Sequence, residues 1–155
     1  MAHSKNLHKE EVRSQIVHAH TLPPRTRAVI LLDISDESIT TFIERAGEAI
    51  WVSCIRLDTF DVGHLVGVDA LISDRKSQKL DLIVAMQHWV VPILPVENDF
   101  PKTFSEFDPM KFEGNAFLFT KIDPYLIFEK LVRYLENIRY TGDKRTLLTN
   151  VTKTF

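Results

Sequence analysis

The residues best placed to do chemistry in this chain are charges that follow apolar runs. Asp33 closes Ala28-Val29-Ile30-Leu31-Leu32, Arg56 and Asp58 follow Ile50 to Ile55, Asp74 follows Val68 to Ser73, and Glu97 follows Val90 to Leu94. If those runs are parallel strands, the charges gather beyond their carboxyl ends, where open α/β sheets hold ligands. Asp33, Ser35, Arg56 and Asp74 are therefore the candidate cofactor-binding residues, with Asp36 beside them. The link Asp33-Ile34-Ser35-Asp36 has no glycine. It forms neither a P-loop nor a dinucleotide fingerprint, because both use glycine to bring the backbone close to phosphate. His3, His8, His18 and His20 form a further group. They could ligate a metal, but they lack a third ligand at fixed spacing, and a solvated arm without metal is the expectation. Cys54 is the one cysteine. It excludes an internal disulfide and a cysteine-based zinc site, and its apolar surroundings predict a buried thiol.

Positioning these groups requires strands and helices in alternation. Ala28 to Leu32 is a continuous apolar run, as in a strand covered on both faces. Ser35 is placed to cap a helix through Ala46, with Ile39, Phe42, Ile43 and Ala46 on one face and Gly47 ending it. Strands follow at Ile50 to Ile55 and Val68 to Ser73, separated by a short irregular piece. Lys76 to His88 reads as a helix burying Leu80, Ile83, Val84 and Met86. Val90 to Leu94 is a fourth strand, in which Pro92 suggests a free edge or a kink. The stretch Glu97 to Gly114 has no clean period and reads as a packed loop. Its phenylalanines, with Phe117 and Phe119, either line a cavity or pack the loop onto the sheet; packing is the expectation. Asn115 to Thr120 is the fifth strand. Asp123 then caps a helix with Pro124 in its first turn and a stripe from Tyr125 to Ile138, and Gly142 is read as its stop. This alternation predicts a three-layer, flavodoxin-like α/β domain with a five-stranded, mostly parallel sheet.

The totals agree. The chain has 155 residues, 45% apolar and 26% charged, which suits one globular domain. Its expected organisation is a flexible N-terminal arm over 1–26, in which Glu10 to His20 could form a short helix with Val12, Ile16 and Val17 at helical spacing, a single domain over 27–140 and a C-terminal tail over 141–155. The net charge of -2 argues against a nucleic-acid partner. No apolar run is long enough for a membrane span, and Met1 to Glu11 has no apolar core for a secretory signal, so a cytoplasmic protein is expected.

Asp33 after strand one, Asp74 after strand three and Thr120-Lys121 after strand five resemble the metal-binding acid, phosphoacceptor and lysine of receiver domains. That resemblance implies Mg²⁺ and phosphorylation. Ile34 stands where the second acid belongs, and Leu94-Pro95-Val96 lacks the expected Ser/Thr. Without that chemistry, Asp33 and Asp74 are strand-end caps. Ala85-Met86, Val91-Pro92-Ile93, Gly114-Asn115-Ala116-Phe117-Leu118-Phe119 and Asp123-Pro124 are similar to the nucleotide-binding half of GT-B glycosyltransferases. The paired glutamates of that family would fall near Lys76 and Val84.

The chain most resembles the Toll/interleukin-1 receptor (TIR) domain, particularly its NAD-cleaving subgroup. The resemblance lies in Lys79 to Met86, Val90 to Leu94, Phe100-Pro101 and Phe128 to Leu135, with Phe60-Asp61-Val62-Gly63 similar to the family's contact loop. It implies a TIR-like signalling or interaction module that associates with a protein partner or with itself. It also places Asp81 at the position of the catalytic glutamate. There a carboxylate would stabilise the positive charge that develops on ribose as nicotinamide leaves NAD. Asp is one methylene shorter than Glu, and Ser77 replaces the usual tryptophan, so at most weak NAD binding or cleavage is expected.

Overall fold

A computed structural model describes residues 2–23, 25–74, 79–100 and 102–155. In chain order the elements are α1 (Ala2–Ala19), β1 (Ala28–Asp33), α2 (Glu37–Ala49), β2 (Val52–Arg56), two 3-10 turns (Leu57–Thr59 and Val62–Gly67), β3 (Ala70–Ser73), α3 (Lys79–Gln87), β4 (Val91–Pro95), β5 (Phe117–Phe119), α4 (Pro124–Ile138) and α5 (Thr141–Thr152). The five strands form one sheet in the order β2-β1-β3-β4-β5. Every pairing is parallel. This is the flavodoxin-like order, with its reversal between β1 and β3. All of β1 is buried, as its unbroken apolar run requires.

With right-handed crossovers, the β1-to-β2 and β3-to-β4 connections lie on opposite faces. One face carries α2 and α4, which pack on each other. The other carries α3 and the β2-to-β3 connection, which consists only of 3-10 turns and is too thin to cover the sheet. Residues expected to form a flexible arm supply the missing layer: α1 packs on the second turn. Val12 and Ile16, spaced for one helix face, are buried there. The fit depends on Gly67, where a Cβ would stand 2.7 Å from Ile16 Cδ1. Asp69, just before β3, holds the helix by charge. Its carboxylate meets Lys9 Nζ at 3.1 Å and Arg13 Nη2, and it accepts the Val29 N–H at 2.8 Å.

The C-terminal residues read as a tail are also largely helical. Gly142 does not stop a helix; α4 ends at Ile138, and Gly142 is the second residue of α5. Leu147 and Val151 of α5 are fully buried. Asn150 Nδ2 donates to Gly114 O at 2.9 Å, and Phe155 packs on Phe100 and Phe104, so α5 clamps the loop before β5. Phe100, Phe104 and Phe107 therefore pack the loop down, as expected, whereas Phe112 is exposed.

Smaller corrections have local causes. Gly47 lies inside α2 rather than ending it, because the backbone of β2 and the Cys54 thiol leave little room there: a Cβ would be 3.2 Å from Cys54 Sγ. Among the described side chains of α3, Leu82, Ala85 and Met86 are buried, Ile83 is half-buried and Val84 is exposed. The Leu80 side chain lies outside the described residues. Pro92 sits in an interior strand. Val91 N donates toward β3, to Asp69 O, so in a parallel ladder the missing Pro92 donor faces β5. Pairing with β5 begins only at Ile93 with Phe117, and nothing there needs that N–H.

Candidate functional site

A cleft of about 330 Å³ lies beyond the carboxyl ends of β1 and β2, on the β2 side of the reversal, lined by Asp33, Ser35, Glu37, Thr40, Arg56 and Asp58 among others. β1 delivers Asp33 and β2 delivers Arg56. The β1–α2 link delivers Ser35, and its conformation is set by Asp36, which caps α2. Asp36 Oδ1 accepts from Ser38 N at 2.8 Å, Ser38 Oγ at 2.6 Å and Ile39 N at 3.1 Å. The Ser38 side chain, then the Ile39 N–H, hold the Asp36 carboxyl below its usual value. The cap is thus one residue later than the Ser35 expected from sequence.

Ser35 is engaged elsewhere. Its N–H and Oγ donate to Asp74 at 3.0 and 2.7 Å, joining the end of β3 to the first link. Asp33 Oδ2 accepts from Ser73 Oγ at 3.2 Å, and Asp74 N donates to Asp33 O at 3.2 Å. Asp33 and Asp74 are both buried. The fold therefore brings Asp33, Ser35 and Asp74 together at the switch point. Arg56 joins the same cleft but pairs with Glu37 and Glu44, each at 2.8 Å. Those hydrogen bonds, Glu44 first, raise the guanidinium pKa further.

Sequence reasoning missed both glutamates. The available signal was their seven-residue spacing, which puts them on one helix face two turns apart. Glu97 and Lys121 are exposed, and among the described residues Lys121 makes no ion pair with Asp74. Helix α3 carries Asp81, whose side chain lies outside the described residues, as do Lys76 and Ser77. In the Phe60-to-Gly63 segment, Phe60 is buried against the rings of His20 and His64, and Asp61 caps the second 3-10 turn. His20 thus belongs to the packing of α1. Among the described residues no three side chains are grouped to hold a metal.

A second cavity of about 450 Å³ lies at the start of β2, lined by Leu22, Thr26, Glu48, Trp51, Ser53 and Cys54 among others. Burial, with the charge of Glu44, pushes the Cys54 thiol up to about 12. Cys54 is half-buried beside this cavity rather than fully buried as its apolar surroundings predict, and its raised pKa keeps the thiol protonated, hence a weak nucleophile, at ordinary pH. Alkylation of the native protein by iodoacetamide at pH 8 should be negligible over times that fully label the denatured chain. Rapid native labelling would show that the thiol ionises readily in the folded protein. Because the folded value lies above the ordinary 9.0, stability owed to this group is complete below about pH 9 and declines as pH rises toward 12.

Among the described residues, no helix is long and apolar enough to cross a membrane. No protein-family model matches this chain, and no curated protein matches it either.

Proposed function

We propose that this domain is a cytoplasmic signalling or interaction module of TIR-like type that self-associates, rather than an efficient enzyme. The observation that carries this reading is the set of polar contacts beyond the carboxyl ends of β1, β2 and β3, made among the domain's own residues. Arg56 is neutralised by Glu37 and Glu44, and Asp74 is engaged by Ser35. Each group is thus held by partners within the chain, joining strand ends to the first helix, which is a structural use of these charges. An exposed apolar rim at the same end of the sheet supports the reading: Val96, Ile122 and Tyr125 are 52%, 54% and 71% exposed. Asp81 lies on α3, the helix before β4, and is the residue this reading singles out for test.

The test is nicotinamide release from NAD at high protein concentration, beside Asp81→Ala. Little or no release is expected from either protein, and sedimentation should show weak self-association. A shortened acid displaced by about 1 Å costs roughly 10²-fold in rate. Robust release abolished by Asp81→Ala would make the protein an NAD hydrolase and overturn the module reading.

One observation favours a second reading, a degenerate receiver: Asp33 and Asp74 lie side by side at the switch point. With Ile34 in place of the second acid, Mg²⁺ would be held by fewer carboxylates than phosphoryl transfer uses. Incubation with a small phosphodonor and Mg²⁺ should leave the protein unmodified. Stoichiometric acylphosphate, lost in Asp74→Asn, would reverse the ranking.

A further inference from the structure

We propose that the cavity at the start of β2 is a binding site for a small organic ammonium ion. This site lies at the end of the sheet opposite Asp33 and Asp74 and owes nothing to the module reading above.

Its volume of about 450 Å³ is within the range that holds small molecules. Leu22 and Pro23 from the link after α1, Glu44 and Glu48 from α2, and Trp51 and Val52 at the entry to β2 form its walls. The lining is largely apolar, and its only charged side chains are the two glutamates.

Those glutamates stand where helix stability alone would not put them. Glu44 and Glu48 are four residues apart on one face of α2, where like charges repel. Arg56 answers Glu44 at 2.8 Å, but among the described residues the Glu48 carboxylate has no ion pair. Glu48 also lies in the last turn of α2, which carries no basic residue. The carbonyl end of a helix favours a cation, so a carboxylate there deepens a pole that is already negative. No lining residue offsets it.

Trp51 points to the same ligand independently. It follows α2 in left-handed backbone, φ +63°, with its N–H donating to Glu48 O at 3.2 Å. A helix end of this kind is ordinarily closed by glycine, because a Cβ is disfavoured at positive φ. Trp89 takes the same position after α3, with φ +65°, but its side chain is half-buried. The Trp51 side chain is 59% exposed and lies on the cavity. Neither the backbone nor the core calls for an indole there.

An indole beside an unpaired carboxylate suits an ammonium ion. The ring face attracts the cation through its quadrupole, and the carboxylate supplies the opposite charge. Leu22, Pro23 and Val52 are left to cover an apolar body. A bare metal ion fits poorly, since two carboxylates, one already held by Arg56, fall short of the oxygen ligands that Ca²⁺ or Mg²⁺ takes.

Calorimetric titration of the full chain at low ionic strength tests the assignment. The probes are choline, its neutral isostere 3,3-dimethylbutanol, and benzyltrimethylammonium, which adds a ring for the apolar wall. At least one of the two cations should bind at about 1 mM or tighter, and choline should bind about tenfold or more tighter than the alcohol. Failure of both cations to bind, or equal binding of choline and the alcohol, overturns the proposal.

Two substitutions separate binding from folding. Glu48→Lys puts a cation at the helix pole, so it should abolish cation binding without lowering the melting temperature. Trp51→Gly should weaken binding about tenfold or more and also melt no lower than the parent, because glycine suits the left-handed backbone. Cation binding unchanged in either variant overturns the site. A lowered melting temperature for both would show that these residues serve the fold, which overturns it equally.

Discussion

Gly114→Ala is expected to lower the melting temperature by roughly 10 °C. Gly114 has φ +92°, outside the range an L side chain adopts comfortably, and its neighbours leave no room: an added Cβ would stand 2.2 Å from Glu106 O and 2.5 Å from Phe107 Cα. These are backbone atoms and cannot swing aside. Strained backbone costs about 1–3 kcal/mol and overpacking about as much again, so a loss of roughly 3–5 kcal/mol follows. In a domain of this length each kcal/mol shifts the melting point by about 2–4 °C.

The damage should spread. Glu106 accepts the Leu118 N–H of the β5 strand at 2.6 Å and Lys130 of α4 at 2.8 Å, while Gly114 O receives Asn150 of α5. Moving Glu106 therefore disturbs the strand edge and both helices that cover it. Gly142→Ala is the matched control, since nothing lies within 4 Å of its added Cβ. That variant should melt within a few degrees of the parent. Equal melting of Gly114→Ala and the parent would show that the loop before β5 is not held against the sheet.

What the sequence revealed follows the range of each interaction. Strand β1 was legible because burial on both faces leaves no room for polar residues. Helix α4 was legible because Asp123 and Pro124 sit next to the turn they stabilise; Asp123 Oδ1 accepts from Tyr125 N at 2.9 Å and Leu126 N at 3.1 Å. The cap of α2 was misplaced by one residue. Ser35 and Asp36 are both good caps, and only the distant Asp74 carboxylate, which takes the Ser35 hydroxyl, decides between them. The strand-end charges were legible as a group because topology alone gathers them. Their pairing was not, since Arg56 meets Glu37 and Glu44 only after β2 docks beside α2. Likewise α1 has local helical spacing, but its fixation by Asp69 depends on a residue more than fifty positions away. Both the missed pairing and the missed anchor are long-range ionic contacts, which leave no periodic trace in one sequence.

Leu131→Ala and Leu147→Ala should cost comparable amounts, roughly 2–5 kcal/mol each. Leu131 lies at the centre of the α4 stripe, and Leu147 lies in α5, within residues whose sequence suggested a loose tail. Both side chains are 0% exposed. Removing a leucine from such a site loses the transfer free energy of its burial, about 1.5–3 kcal/mol, and leaves a cavity that surrounding elements close only in part. The α4 site is walled by the sheet and by α2, which limits relaxation and puts Leu131→Ala toward the upper end. Helix α5 packs on α4 and α3, and Leu147 is one of its two buried residues. A residue on a loose tail would change stability by less than about 0.5 kcal/mol. Urea unfolding separates the cases: a lowered midpoint with an unchanged slope for both variants places α5 in the same cooperative unit as α4. A Leu147→Ala midpoint equal to the parent's, beside a lowered one for Leu131→Ala, would show that α5 undocks before the domain unfolds.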